Sequence, residues 1–407
     1  MFSLPMRYEN IREVPYPYKG MCAISSDAEY TSQEILDWLI AYLNTDEKTP
    51  LGYGVDLDFA ASIFFFSDNP LHTSIYDSLE VDSKETPYAN TLRDYIKYGY
   101  IDTNHAYRDF NIHHNFNRTH ALKVYEMLSK HSLSLPIFTN HGNGEPKAMQ
   151  HNIGFAPHHN GSNPDSIAYH TDLFSAGGGA FIWSDDWVIE KFPRISLAGN
   201  ITSTQDGRQL GSSTILQKLF CGDGDYDFFT RYRSTGCIAP TFQTFNYQIQ
   251  SIDWETFYNQ SSVVIFYQHF GSFYVANAKN IPTTLELLKK FPFYLTGFKF
   301  LKEEQEKGNL LVLKTSKLLR YCKMYMSTKV ESILKDNKLT LSIHNYETIE
   351  DMSFFDGLTI YVENYKNIAL QCFYKDKPLK FIYNGLDARG KYSITLDSKQ
   401  GEYYGMG

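Results

Sequence analysis

The stretch that decides the fold lies at residues 21–29 and reads MCAISSDAE. Its first six residues are apolar or small, and Asp27 follows them at once. A short apolar run of this kind predicts a buried β-strand, here one that carries a carboxylate at its carboxyl end. Residues 32–44 then place apolar side chains at helical spacing, so the sequence predicts a strand followed by a helix.

The alternation of strands and helices continues to about residue 325. Further predicted strands lie at residues 55–66, 100–103, 135–139, 180–183 and 261–267, and helical patterns lie at residues 91–98, 117–131, 283–290 and 315–325. This order predicts an α/β architecture with a mostly parallel sheet. In barrels of this kind, polar residues that directly follow strands line the rim of the active site. Asp27, His105, His141 and His269 follow predicted strands in this way.

The pattern changes near residue 330. Residues 338–399 contain short β-type runs at regular spacing, with Gly, Asn and Asp between them. Such runs predict a small antiparallel β-sandwich. We therefore predict a barrel-like domain over residues 1–328 and a β-rich C-terminal domain over residues 329–407.

The composition excludes several classes of function. The 407 residues include 38 Lys and Arg against 46 Asp and Glu, a net charge of −8, which argues against a binder of the nucleic-acid backbone. No apolar run of sufficient length for a membrane span occurs. The N-terminal residues show no signal peptide, and the five cysteines are too far apart for a CxxC zinc site. A cytoplasmic protein with reduced thiols is the expectation.

Histidine is concentrated in one part of the chain. Ten of the 13 histidines lie between His105 and His170. Neutral imidazole together with carboxylate suits zinc and similar divalent ions. His105 and Asp109 are four residues apart and would share one face of a helical turn. With Asp27 and His141 at other predicted strand ends, these residues are the candidate metal ligands.

Two further polar positions are each compatible with two interpretations. His170 and Asp172 belong either to the substrate-binding rim or to a buried polar turn. His269 follows the apolar run at residues 263–267 and is either a catalytic acid or a capped strand end. An imidazole suits general acid catalysis, because its ordinary pKa lies near neutrality.

Four segments, in the same order, make the chain resemble a divergent polysaccharide deacetylase of the NodB-like carbohydrate esterase group. Residues 25–29 (SSDAE) resemble the first motif of that family, residues 105–109 (HAYRD) the second, and residues 263–269 (VVIFYQH) the last. Residues 138–142 (FTNHG) follow the strand between them. The region 100–142 also resembles a subgroup that is associated with bacterial surface-polysaccharide loci.

The resemblance implies a distorted (β/α) barrel of about seven strands and a hydrolase that acts on carbon–nitrogen bonds of linear amides. It implies a divalent metal, with Zn²⁺ expected, held by Asp27, His105 and Asp109. Water would attack an N-acetyl or O-acetyl group on an amino sugar or bacterial surface glycan. An acidic residue would act as the base, and His269 would protonate the leaving amine.

The chain departs from the family at its first two motifs. The first motif of the family has two adjacent Asp residues, whereas this chain has Asp27 alone and Glu29 two residues later. Because alternate residues of a strand point to the same side, Glu29 could serve as the base. If Asp27 is the base instead, the metal loses a ligand. The second motif ends in Asp109 where the family has His, and His141 could complete the ligand set.

Two other functions remain open at the level of the sequence. The chain could be a carbohydrate-binding barrel that has lost part of its base and metal pair. It could also be a barrel glycoside hydrolase that uses Asp27 and Glu29 as paired carboxylates. The concentration of histidines favours the metal-dependent deacetylase over the glycosidase, which does not need them.

Overall fold

The computed structural model describes residues 10–108, 116–140, 150–154, 160–183, 216–221, 224–229, 241–273, 284–362 and 368–400. The strands in these residues are β1 Gly20–Ser26, β2 Lys48–Thr49, β3 Gly52–Tyr53, β4 Ala60–Phe66, β5 Ser74–Tyr76, β6 Ile101–Asn104, β7 Ile137–Thr139, β8 Phe181–Trp183, β9 Leu216–Cys221, β10 Gly224–Phe229, β11 Val263–Gln268, β12 Leu310–Leu313, β13 Thr328–Lys335, β14 Lys338–Asn345, β15 Thr359–Val362, β16 Ala369–Tyr374, β17 Lys377–Pro378, β18 Phe381–Tyr383 and β19 Tyr392–Leu396. The helices are α1 Gln33–Asn44, α2 Ala89–Lys97, α3 Arg118–Lys130, α4 Thr171–Ala176, α5 Phe245–Gln250, α6 Trp254–Asn259, α7 Thr284–Lys290, α8 Thr296–Glu306 and α9 Thr315–Ser327. None of the helices in these ranges has the length and hydropathy that crossing a bilayer requires.

The main sheet confirms the predicted α/β class. Its strand order is β11-β1-β4-β6-β7-β8-β10-β9, and all neighbours are parallel except β9, which runs antiparallel to β10. Two short strands add to it in parallel, β12 beside β1 and β5 beside β4.

The sheet is curled like part of a barrel. The parallel strands follow one another in chain order from β1 to β10, and β11 then returns to the other side of β1. Trp183 on β8 stacks on Tyr267 on β11 with ring centroids 5.7 Å apart, although other strands lie between them in the sheet. Rings so far apart in strand order can meet only across the concave side of a curved sheet. The predicted fold class, a distorted (β/α) barrel of about seven strands, is therefore confirmed.

The central strands are buried on both faces. All residues of β1 and β4 are buried, as is usual for parallel strands that are covered by other elements. Alternate residues of β1 belong to two hydrophobic clusters: Cys22 and Ile24 to the one that contains α1, and Met21 and Ala23 to the one that contains α9 and the C-terminal strands. The helix α1 begins where Ser32 accepts a hydrogen bond from the backbone of its first turn.

The C-terminal part is β-rich, as predicted. It forms a four-stranded sheet, β13-β14-β16-β17, and a three-stranded sheet, β15-β19-β18. The expectation of a wholly antiparallel arrangement was wrong, because β14 and β16 are parallel. Parallel neighbours need a long connection, and here that connection passes through β15 of the other sheet.

The chain before β1 also contacts the C-terminal sheets. Ile11 forms a β-bridge with Ile360, and Tyr361 N donates a 2.7 Å hydrogen bond to Asn10 O. The predicted division of the chain into domains at residues 1–328 and 329–407 stays a prediction. The bridge nevertheless means that the first described residues pack against the C-terminal strands.

Candidate functional site

Four ionisable side chains meet at the carboxyl edge of the main sheet. Asp27 directly follows β1, His105 directly follows β6, and His269 directly follows β11. Glu29 lies in the turn after Asp27. Parallel strands end at one edge of a sheet, which brings these distant parts of the chain together. We call the four residues the carboxylate–histidine cluster.

The two histidine rings of the cluster face both carboxylates. His105 Nδ1 lies 3.4 Å from Asp27 Oδ1, and His105 Nε2 lies 3.2 Å from Glu29 Oε1. His269 Nε2 lies 3.5 Å from Glu29 Oε2 and 3.8 Å from Asp27 Oδ2. Each carboxylate therefore directs one oxygen toward each histidine.

Three members of the cluster could together hold a metal ion. Asp27, Glu29 and His269 each offer one ligand atom, and these atoms lie within 4.8 Å of one another. Two carboxylate oxygens and one imidazole nitrogen are a donor set that suits zinc and other divalent ions. Two carboxylates this close repel each other unless a cation or a proton neutralises them. The residues present therefore fit a divalent cation.

The four side chains differ in depth. Those of Asp27 and His105 expose 1% and 0% of their surface, whereas those of Glu29 and His269 expose 13% and 8%. A molecule that arrives from solvent would therefore meet Glu29 and His269 first. Asp27 and His105 form the floor of the site.

Hydrogen bonds join three strands beneath the cluster. Asp27 N donates to Gln268 O at 2.9 Å, and Phe270 N donates to Ser26 Oγ at 3.0 Å, so the ends of β1 and β11 are tied together. Ser62 Oγ on β4 donates to Ser26 O at 2.9 Å. These bonds set the positions from which the carboxylates and imidazoles project.

Sequence reasoning missed Tyr267 as a neighbour of the cluster. Its hydroxyl lies 3.3 Å from His269 Nε2, and its backbone carbonyl accepts a 3.0 Å hydrogen bond from Gln248 Nε2 on α5. The available signal was the spacing of two residues between Tyr267 and His269, which places both on one side of an extended chain. No pattern in the sequence connected Gln248 with this strand.

We expected Asp27 and Glu29 to point to the same side because they would alternate along a strand, and this explanation was wrong. The strand β1 ends before Asp27, so the two acidic residues do not alternate along a strand. They lie in a turn, in which Thr31 N donates to Ala28 O at 3.1 Å. The side chains converge on His105 because the chain turns there.

The helical turn expected after β6 is not formed. Ala106 and Tyr107 have φ values of 56° and 64°, which lie in the left-handed region and exclude a right-handed helix there. Tyr107 N instead donates to Asn104 Oδ1 at 3.0 Å and closes a tight turn. The argument that His105 and Asp109 share a helical face was therefore wrong for the residues that the structure describes.

Two of the predicted metal ligands, Asp109 and His141, lie outside the described residues. Their assignment as ligands stays a prediction. Of the remaining predicted site residues, the structure brings four together: Asp27, Glu29, His105 and His269.

A second histidine-rich region surrounds His170. His170 is fully buried, with Nδ1 2.9 Å from the Tyr107 hydroxyl and Nε2 2.6 Å from His151 O. Burial lowers the pKa of His170 to about 4, so the ring is neutral at pH 7. These contacts agree with a buried polar turn, and contact of His170 with a substrate stays a prediction. We call the following set the histidine–aromatic region: Tyr107, Phe116, His120, Phe138, His151 and His170.

Asp172 lies in the first turn of α4 and pairs with Arg118 at the start of α3. Arg118 donates to both carboxylate oxygens, at 2.7 and 2.6 Å, and these hydrogen bonds hold the pKa of Asp172 below its usual value. The pair joins two helices. A role of Asp172 in substrate binding stays a prediction.

No family model and no curated protein matches the chain. Among solved structures, the chain is similar to a 4-α-glucanotransferase from Thermococcus litoralis, with 12% identity, a TM-score of 0.35 and coverage of 75% of this chain. The chain spans 40% of the length of that protein. A similarity this distant carries no argument about function.

Proposed function

We propose that this protein is a metal-dependent deacetylase that hydrolyses an N-acetyl or O-acetyl group on an amino sugar or a bacterial surface glycan. The observation that carries the proposal is the carboxylate–histidine cluster at the carboxyl edge of a barrel-like parallel sheet. The resemblance of four sequence segments to NodB-like polysaccharide deacetylases supports it.

Asp27, Glu29 and His269 would hold the ion, which we propose to be Zn²⁺. When bound, a divalent ion polarises the acyl oxygen and lowers the pKa of an attacking water. This ligand set differs from the one that the resemblance implies, which included His105 and left His269 as the acid. The proposed set follows the three residues whose ligand atoms lie close together.

Glu29 and His105 would carry the proton of the reaction. Glu29 Oε2 lies toward His269 and Glu29 Oε1 lies 3.2 Å from His105 Nε2, so one oxygen is available to the ion while the other exchanges a proton with the ring. The attacking water must lose a proton, and the leaving nitrogen or oxygen must gain one, so one relayed proton can serve both steps. Asp27, 3.4 Å from His105 Nδ1, would orient the ring and stabilise its protonated form.

The geometry weighs against the glycosidase alternative. A glycosidase needs its two carboxylates to flank the scissile bond, with space between them for the sugar and, in some enzymes, a water. Here the His105 ring faces both Asp27 and Glu29 from the buried side, and His269 faces both as well. Carboxylates and imidazoles that face one another in this way are groups that ligate a divalent cation.

The test is a paired measurement of acetate and of new reducing ends. Zinc-loaded protein, freed of unbound ion, is incubated with the N-acetylglucosamine tetramer and with an O-acetylated glycan. Acetate without new reducing ends supports the proposal, and new reducing ends would identify a glycosidase. Binding of saccharide with neither product would identify a carbohydrate-binding barrel.

A matched control separates the cluster from histidines in general. His344→Ala changes an exposed histidine 3.5 Å from Glu331 in the C-terminal sheet, and this variant should release acetate as the wild type does. Asp27→Asn should release none.

A further inference from the structure

Tyr30 is an exposed aromatic residue directly beside the carboxylate–histidine cluster. It follows Glu29 in the chain and is 47% exposed, whereas its neighbours Ala28 and Thr31 are buried. Single exposed aromatic residues are common and need no explanation by themselves. Tyr30 differs from such residues in its backbone conformation and in the rings that surround it.

The backbone of Tyr30 is held in a conformation that large side chains rarely adopt. Its φ is 55°, in the left-handed region. Thr73 N donates a 2.8 Å hydrogen bond to Thr31 O, directly after Tyr30. Gly271 packs so closely against Tyr30 and Thr31 that a Cβ atom there would clash with both. The chain segments after β4 and β11 therefore impose the conformation, and such imposed strain clusters at functional sites.

A row of rings connects Tyr30 with the cluster. The ring centroids of Tyr30 and His72 are 5.7 Å apart, those of His72 and Phe64 are 5.1 Å apart, and those of Phe64 and His105 are 5.0 Å apart. His72 is itself held, because its ring nitrogens contact Ser67 Oγ and the Asn69 amide. Tyr30 is thus the solvent end of a fixed row whose inner end is a member of the cluster.

We propose that Tyr30 is the stacking platform for a pyranose ring of the glycan substrate. A pyranose presents a face of C–H groups, and an exposed tyrosine offers a large apolar surface at little cost in conformational entropy. The inference rests on the proposed function, because it assigns the sugar of that reaction to a position.

The test compares ring removal with ring retention. Tyr30→Asn removes the ring but suits a left-handed φ, and Tyr30→Phe keeps the ring and removes the hydroxyl. Tyr53→Asn removes a still more exposed tyrosine, 73% against 47%, from the β2–β3 hairpin and is the control. Binding is measured by NMR titration with N-acetylglucosamine, its tetramer and N-acetylgalactosamine as probes.

We expect Tyr30→Asn to raise the Kd of the probe that binds best by about tenfold, the upper part of the range for one aromatic contact. Tyr30→Phe and Tyr53→Asn should stay within about twofold of the wild type. The proposal is overturned if Tyr30→Asn, folded by circular dichroism, binds as the wild type does. It is equally overturned if none of the three saccharides binds the wild type.

Binding and turnover separate this inference from the proposed function. If the saccharide binds through Tyr30 and no acetate is released, the platform stands and the deacetylase proposal fails. If acetate is released and Tyr30→Asn leaves KM unchanged, the deacetylase proposal stands and the platform fails.

Discussion

The carboxylate–histidine cluster and the histidine–aromatic region use the same residue type in opposite surroundings. In the cluster, His105 and His269 each face the carboxylates of both Asp27 and Glu29. In the region, His170 contacts the Tyr107 hydroxyl and the His151 carbonyl and packs among aromatic rings. The density of histidines in a sequence therefore does not mark a site, because the partners of each ring determine what it can do.

The largest expected effect is the loss of zinc binding in Asp27→Asn. The substitution removes a charged ligand at the buried centre of the cluster, so zinc affinity should fall by about 100-fold or more, and acetate release should stop. Competition with a chelator of known affinity measures the change. Unchanged zinc affinity would show that the cluster does not hold the ion.

A fold control accompanies this variant. Removing one of two facing carboxylates relieves their repulsion, so the metal-free Asp27→Asn protein should unfold at the same temperature as the wild type or at a higher one. His170→Asn changes a histidine of the other region and should leave zinc affinity unchanged.

His269→Ala tests whether His269 is a ligand or an acid. As a ligand, its loss should weaken zinc binding by about 100-fold, because one of three donors is removed. Elemental analysis after dialysis measures the occupancy. Full occupancy together with a kcat lower by about 10²–10⁴ would instead support the role of acid that the resemblance implies.

The histidine–aromatic region should make stability depend on pH. The pKa of His170 is about 4 in the folded protein and about 6.5 in the unfolded chain, so the unfolded chain binds the extra proton between these values. The contribution of His170 to the free energy of unfolding is complete above pH 6.5. It is lost as the pH falls toward 4, which lowers the free energy of unfolding by up to about 3 kcal/mol. Urea unfolding at several pH values measures it.

Two controls isolate His170 in that experiment. His170→Gln should flatten the dependence between pH 6.5 and 4, whereas His131→Gln, which changes an exposed histidine at the end of α3, should not. If the His170 variant does not fold, the ring signals of the wild type can be titrated by NMR. A pKa of His170 near 6.5 in the folded protein would contradict the prediction.

The smallest expected effect concerns Tyr107, the residue through which the two regions approach each other. Tyr107→Phe keeps the ring but removes the 2.9 Å hydrogen bond to His170, so the free energy of unfolding should fall by about 1 kcal/mol. Zinc affinity should stay within about twofold. A tenfold loss of zinc affinity would show that the turn after His105 depends on this hydroxyl.

Hydrophobic periodicity was sufficient to predict most of the main sheet. The runs at residues 21–26 and 263–267 are buried almost throughout, so their burial is visible in the sequence as apolar composition. The parallel pairing of β14 with β16 was not visible, because buried residues alternate with less buried ones in both strands and either direction would bury the same face.

The sequence by itself determined that Asp27, His105 and His269 stand at strand ends, because each comes within two residues of the end of a predicted strand. Only the tertiary structure decided how they face one another. Glu29 reaches His105 through a turn that other chain segments hold, and the turn after His105 is left-handed because Tyr107 O accepts hydrogen bonds from Phe65 N and Phe66 N of β4. Such backbone conformations cost free energy locally and persist only where distant contacts stabilise them, so local sequence cannot predict them.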